Sequence, residues 1–437
     1  MKATVVGGGL AGCEAAWTLA ERGCSVTLHE MRPHTPTPAH QTDRLAELVC
    51  TNSFKSIDVT NAHGLLKAEV RLLGSLLMEV AEASKVPAGT ALAVDRAEFS
   101  AGVTERIRAH PSIEVVEEEI VTLPSPGIIA TGPLTSDRLA DTIARRLGVA
   151  HLAFFDAIAP IVSGDSIDHD VVYRMSRYGK GGGDDYLNAP FDEAQYYAFI
   201  EALKAGEQYE GHEFDETPYF EACLPVEEMA ARGPETLRFG PMKPVGLPDP
   251  RTGREPFAVA QLRAEDRAGQ MWNLVGFQSR LKTGAQRGVW RMIPGLENAE
   301  VLRWGSIHRN TYLNSPAVLT SHLSALDDPQ LLFAGQLVGV EGYTESLGCG
   351  LLCGINLARM LGGDEPVLPP DTTMLGSLLR YVHGAEPKRF QPMNANFGLL
   401  PPLSKRVRDK RVKREALAQR ALEAMHGFAR RTGGVPA

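Results

Sequence analysis

The chain has 437 residues, 43% hydrophobic and 22% charged, which is long enough for two or three domains and too apolar for a disordered segment. Its net charge of −8, with 45 Lys and Arg against 53 Asp and Glu, argues against a generic attraction to polyanions and leaves only local basic patches to supply one. No apolar run is long enough to span a bilayer, no secretory pattern opens the chain, and the six cysteines suit neither a disulfide framework nor a CxxC zinc site, so a cytoplasmic protein with no membrane or metal partner is expected.

An apolar strand, Thr4-Val5-Val6, runs into Gly7-Gly8-Gly9-Leu10-Ala11-Gly12, glycines spaced GxGxxG. Gly7 permits a tight turn, Gly9 lets the backbone approach a pyrophosphate, and Gly12 lets the next helix, read over Cys13 to Arg22, pack on the strand. That helix N-terminus adds amide donors and positive potential. A second apolar stretch ends at Glu30, eighteen positions after Gly12, where an acid grips the adenosine ribose hydroxyls. A plain glycine-rich turn accounts for the glycines alone. Strand, glycines, helix, strand and acid in that order predict a dinucleotide site.

Val115 to Leu123 reads as a strand, and Gly127-Ile128-Ile129-Ala130-Thr131-Gly132-Pro133 as a buried strand ending in a turn of small residues. From about Val162 to Leu326 the pattern changes to polar aromatic segments, the Gly179-Lys180-Gly181-Gly182-Gly183 loop and the Gly246-Leu247-Pro248-Asp249-Pro250 break, as in an inserted domain. Gln330 to Gly335 restores a buried strand. After Gly339 to Gly342 comes a helix from about Thr344 to Leu361 with Leu347, Leu351 and Ile355 on its apolar face. Cys349 and Cys353 on that helix read as packing rather than as metal ligands. The run Lys405, Arg406, Arg408, Lys410, Arg411, Lys413 and Arg414 is either a phosphate-binding strip or a solvated helix face.

Nearly the whole chain resembles the folate- and FAD-dependent tRNA uracil-5-methyltransferases, the TrmFO family. Carrying segments include Gly7 to Ala16, Glu30-Met31-Arg32-Pro33, Leu48-Val49-Cys50-Thr51-Asn52-Ser53, Ala91 to Arg96, Ala130 to Leu134 and Cys223-Leu224-Pro225-Val226-Glu227. Thr236 to Leu247, His308 to Tyr312, Gly335-Gln336 with Gly339 to Tyr343, and Met393 to Pro401 are more specific. The resemblance implies an α/β fold: a glutathione-reductase-like Rossmann FAD-binding domain in two parts, 1–165 and 329–437, around an α/β insertion domain, 166–328, with a basic C-terminal helix. It places the FAD-holding groups at Gly7, Gly8, Gly9, Leu10, Ala11, Gly12, Glu30, Arg32, Thr131, Gly132, Gly335, Gln336, Gly342 and Tyr343.

Methylating C5 of a uracil requires a nucleophile at C6 that creates enolate character at C5. Cys223 suits this locally: Pro225 reads as helix N1, Glu227 and Glu228 as the first turn, and Gly233 as the stop after Arg232, so the thiol precedes a helix N-terminus. A buried helix-entry residue is the plain alternative. Cys50 is flanked by Leu45, Leu48 and Val49 on one side and by the polar Thr51-Asn52-Ser53 on the other. The resemblance makes both thiols active-site groups, with Cys223 expected at C6 and Cys50 removing the C5 proton; the reverse assignment stays open.

It further implies 5,10-methylenetetrahydrofolate as the one-carbon donor, passage of that carbon through flavin N5, NADH or NADPH as reductant, and the T-loop uridine of tRNA as substrate. Lys405, Arg406, Lys410 and Arg411, with Arg280, Lys282, Arg287 and Arg291 of the insertion, are the expected tRNA contacts. Trp290 lies among the latter as either a stacking ring or core. Two rivals remain: a wobble-uridine modifier of the related GidA/MnmG type, which carries a long helical C-terminal extension, and a non-catalytic flavin-bound tRNA-binding factor.

Overall fold

A computed structural model of the chain describes residues 1–37, 39–148, 152–209, 224–405 and 407–433, with the backbone alone at 152–158 and 307–310. A six-stranded sheet forms its first layer, in the spatial order Ser324–Ala325, Asp328–Phe333, Gly127–Ile129, Lys2–Val6, Ser25–Glu30, Ile113–Glu117. All neighbours pair in parallel except the Ser324–Ala325 edge. Val5, Val6, Val26, Leu28, Ile128, Ile129, Leu332 and Phe333 are all buried, as strands covered on both faces require. Because the strands run parallel, Gly7, Met31, Ala130 and Ala334 all emerge at one carboxyl edge, where open α/β sheets bind ligands.

The first helix spans Leu10–Ala20 and the late one Tyr343–Leu361. The first begins inside the glycine fingerprint, earlier than the apolar pattern from Cys13 predicts, because Gly9 takes the N-cap. These two helices cross at close range. A Cβ at Gly12 would lie 1.8 Å from the Gly7 carbonyl oxygen, and one at Gly350 would lie 2.0 Å from the Ala11 carbonyl oxygen. Cys349 and Cys353 are fully buried on the late helix, where burial pushes the Cys349 thiol up to about 12 and holds both as packing groups. The strand read to Leu123 stops at Glu117, and residues Glu118 to Ile120 turn along the carboxyl edge instead.

A second six-stranded sheet is antiparallel throughout, in the order Tyr173–Arg174, Tyr186–Phe191, Ala258–Ala264, Met271–Leu274, Ile161–Ser163, Val301–Arg303. The helix Glu193–Ala205, started by an Asp192 and Gln195 capping box, buries Tyr196, Phe199, Ile200 and Leu203 in this body. The ribbon Leu152–Ile158 with Ser306–Tyr312 leads into it and back. Each sheet has its own apolar core: one built from residues between Ala3 and Ile143 and again between Tyr312 and Ala429, the other from Val162 to Ala299. The C-terminal helix Lys410–Thr432 joins the first core through Leu417, Ala421, Met425 and Phe428. Among the described residues no helix is long and apolar enough to cross a membrane.

Candidate functional site

A cleft of about 990 Å³, counted to its open mouth, runs along the carboxyl edge of the parallel sheet. Gly7, Gly9, Leu10, Ala11, Glu30, Arg32, Thr131, Gly132, Gly335, Gln336 and Tyr343 line it, while Gly8, Gly12 and Gly342 are not part of its lining. A Cβ built on Gly9 meets nothing within 4 Å, so the backbone there faces open space. Gln336 is held by a 2.7 Å bond from Nε2 to Oε2 of Glu341.

Glu30 Oε2 accepts from the Gly8 N–H at 2.8 Å, and Oε1 accepts from the Arg32 N–H at 3.1 Å and from Arg32 Nε at 2.9 Å. Burial pushes this carboxyl up, but Arg32 and the Gly8 amide outweigh it and hold it below the usual carboxylate range. Arg32 in turn donates through Nη1 to the Thr42 carbonyl at 3.1 Å and reaches Glu47 at 3.4 Å. His40, also on the cleft wall, is pushed down to about 4 by burial and the Arg32 charge, so its imidazole is neutral at physiological pH. His40 and Glu47 have no local sequence signal; they reach the cleft through the loop after Glu30.

The half-buried Cys50 sits where both bodies meet. The Tyr343 hydroxyl, from the first turn of the late helix, accepts from the Cys50 and Thr51 N–H groups at 3.1 Å each and donates to the Thr51 carbonyl at 2.8 Å. Burial pushes the Tyr343 phenol far up, which keeps that donor proton in place. From the insertion, Arg263 donates to Thr51 Oγ1 at 2.6 Å and Asn52 Oδ1 at 2.9 Å, and Arg303 Nη2 donates to the carbonyls of Val49 at 3.0 Å and Ala39 at 3.2 Å. Tyr343 thus touches both the cleft and the thiol loop.

Cys223 and Arg406 lie outside the described residues. Just after Cys223, the helix is Val226–Ala231 and Pro225 is its N-cap, not N1. The chain is anchored there: the Val226 N–H donates to the Gln278 carbonyl at 2.7 Å, and buried Glu227 accepts from Ser279 Oγ and from the Arg280 and Leu281 N–H groups. Arg280 pairs with Glu228 at 2.5 Å and Lys282 with Glu207, whereas Arg287 and Arg291 are exposed. Trp290 is core: it is 2% exposed and its indole N–H donates to Gln286 at 3.1 Å, so it does not stack on a base. The half-buried ring that Arg287 faces, 6.0 Å away, is Trp304. Lys405, Lys410 and Arg411 are exposed, with Arg411 bonded to Glu415 at 2.9 Å. Among the described residues no three His, Cys, Asp or Glu side chains form a metal-binding cluster.

The family described as "Glucose inhibited division protein A" matches residues 2–365. The "Methylenetetrahydrofolate--tRNA-(uracil-5-)-methyltransferase TrmFO" of Geobacter sulfurreducens is 56% identical over 421 residues, 96% of this chain and 96% of that one. The chain belongs to the TrmFO family. A TrmFO of Moorella thermoacetica is 54% identical across 97% of both chains. Among solved structures, Aquifex aeolicus GidA covers 100% of this chain with 74% of its own at a TM-score of 0.71 and 16% identity, so this TrmFO-family chain has the GidA fold.

Proposed function

We infer that this chain is a methylenetetrahydrofolate--tRNA-(uracil-5-)-methyltransferase that holds FAD in the cleft of the parallel sheet. One observation carries the reading: a chain of this family, alike over 96% of its length to a named methyltransferase, ties its Cys50 loop to Tyr343 on the wall of the cleft that the glycine fingerprint and Glu30 line. Open space at Gly9, the Glu30 carboxylate fixed at the strand end, and small residues at Thr131-Gly132 fit a pyrophosphate and ribose. The helix Tyr343–Leu361 lacks a side-chain cap, which suits its N-terminus to negative charge on a flavin ring. When bound, FAD supplies the carrier for the one-carbon unit of methylenetetrahydrofolate and, with NADH or NADPH as source, the reducing electrons.

The protein's own part is nucleophilic and basic. Cys223 adds to C6 of the T-loop uridine, and Cys50 takes the proton from C5. Val226 and Glu227 anchor the chain close to Cys223 to the insertion body. Tyr343, Arg303 and Arg263 hold the Cys50 turn. Exposed Arg287, Arg291, Lys405, Lys410 and Arg411, with Arg406, meet tRNA phosphates, while Arg280 and Lys282 exchange Glu228 and Glu207 for them.

Nucleoside mass spectrometry of an undermodified tRNA incubated with the flavin-loaded protein, methylenetetrahydrofolate and NADPH tests this reading. The expected product is 5-methyluridine in the T loop, lost in Cys223→Ala and Cys50→Ala although both stay yellow. Full activity in either variant removes that thiol from the mechanism, and a modified wobble uridine overturns the function.

A further inference from the structure

Arg96 opens the helix Arg96–Ala109, which is capped by Asp95 through bonds from the Ala97 and Glu98 N–H groups. Its guanidinium leaves that helix and spreads over three acceptors. Nη1 donates to the Leu48 carbonyl, Nη2 to the Cys50 carbonyl at 2.9 Å, and Nε to Oε2 of Glu265. Glu265 directly follows the insertion strand Ala258–Ala264 and is fully buried. Its second oxygen, Oε1, has no hydrogen-bond partner among the described residues, so Arg96 supplies the charge that makes its burial tolerable.

The consequence falls on Cys50. Tyr343 holds the N–H of Cys50 and Arg96 holds its C=O, so both peptide groups of the residue are fixed and the thiol keeps only its χ1 rotation. One clamp comes from the late helix. The other is set by a carboxylate of the insertion sheet. An ammonium cannot replace the second clamp, because reaching the Leu48 carbonyl, the Cys50 carbonyl and Glu265 together needs the planar, five-donor fork of arginine.

We propose that Arg96 is the positioning residue of the Cys50 thiol and that Glu265 fixes Arg96, so the insertion sheet sets where the thiol stands next to Val49 and Tyr343 of the cleft wall. This rests on the assignment of Cys50 to the reacting centre. It gives the insertion body a part in the chemistry beyond carrying Cys223. Arg96 acts through the loop and not on the substrate.

Arg96→Lys and Glu265→Gln, made in the full chain loaded with FAD, test the proposal. Arg96→Lys is expected to lower kcat per bound flavin by about 10- to 100-fold, the scale of a displacement of roughly 1 Å at a reacting group, while KM for tRNA stays within about threefold. Glu265→Gln, which keeps the volume and one acceptor, is expected to fall between this and wild type. A second readout is the rate of iodoacetamide alkylation at Cys50, followed by peptide mass spectrometry. It changes in both variants if the thiol is displaced. A purely structural role would lower thermal stability or flavin content and leave kcat per flavin and the alkylation rate where they were, which overturns the proposal. If Arg96→Lys does not fold, Glu265→Gln decides on the same two readouts. An active Cys50→Ala protein sinks the assignment of Cys50; an inactive one beside wild-type behaviour in the other two variants sinks the positioning role alone.

Discussion

The Gly8 N–H and the Glu30 carboxylate are bonded at 2.8 Å, which ties the acid at the end of the second strand to the middle of the glycine loop. Glu30 therefore has two duties: it faces the cleft, and it holds together the loop and Arg32, whose side chain is even more buried than the carboxylate.

Glu30→Gln is expected to harm both stability and flavin binding. An amide cannot accept at both ends, so it either turns a donor toward the Gly8 N–H or leaves Arg32 without its charge partner. Breaking a buried pair on one side costs about 3–5 kcal/mol, although Glu47 near Arg32 softens this. Losing a hydrogen bond between a charged group and the ribose weakens flavin binding by about 10- to 100-fold, from roughly 1.5–3 kcal/mol. Arg32 and the Gly8 amide lower the native pKa of Glu30, so its contribution is present above the ordinary value of 4.5 and lost as pH falls through the lower native value. Urea midpoints measured across acidic pH check the sign. The wild-type midpoint should fall through that window more steeply than the variant's, and parallel curves would refute the linkage.

Gly9 and Gly12 separate binding from folding. An added Cβ meets nothing at Gly9, whose φ of −79° suits any residue, whereas at Gly12 it would sit 1.8 Å from the Gly7 carbonyl oxygen. Gly9→Ala is expected to keep the stability of the flavin-free protein within about 0.5 kcal/mol, as for other open positions, and to lose flavin affinity because the methyl group takes the space of the pyrophosphate. Gly12→Ala must push the first helix off its strand and should unfold at much lower denaturant. Flavin titration beside denaturant melts reads both, and normal flavin binding by Gly9→Ala would remove the pyrophosphate from that spot.

What the sequence shows of this molecule follows the range of its interactions. The glycine fingerprint, Glu30, the strand before Gly335 and the late helix are local patterns of period or spacing, and each lies within a few residues of its predicted place. The clamps on the Cys50 loop join residues 46 positions apart for Arg96, 254 for Arg303 and 293 for Tyr343, and no local pattern encodes such pairs. Glu14 and Glu69 look like solvated helix positions. Each instead enters the core to cap another helix, Glu14 at Leu76 and Leu77 and Glu69 at Met374 and Leu375, where burial pushes their carboxyls up to about 7 and about 8. Trp290 among arginines reads as either a stacking ring or core, and the core reading holds because Gln286 one turn earlier satisfies its indole N–H.

The C-terminal helix begins Lys410-Arg411-Val412-Lys413-Arg414 and has no acid in its first turn, with Asp409 capping through the Arg411 and Val412 N–H groups. Cations at that end oppose the helix dipole by about 0.3–1 kcal/mol each, so a helix serving only solvation gains nothing from them. A surface that meets phosphates does. Changing Lys410 and Lys413 to Gln is therefore expected to move two quantities in opposite senses. Thermal stability should rise by about that dipole term per residue. Binding of tRNA should weaken, and the slope of log K against log salt should shrink by roughly 0.7–0.9 for each phosphate that is no longer neutralised. Arg411 is left unchanged, since its bond to Glu415 would mix an ion-pair loss into the result. Filter binding across a salt series together with calorimetric melts reads both quantities. A gain in stability with an unchanged salt slope would assign the strip to solvent and move the tRNA-binding surface to the insertion body.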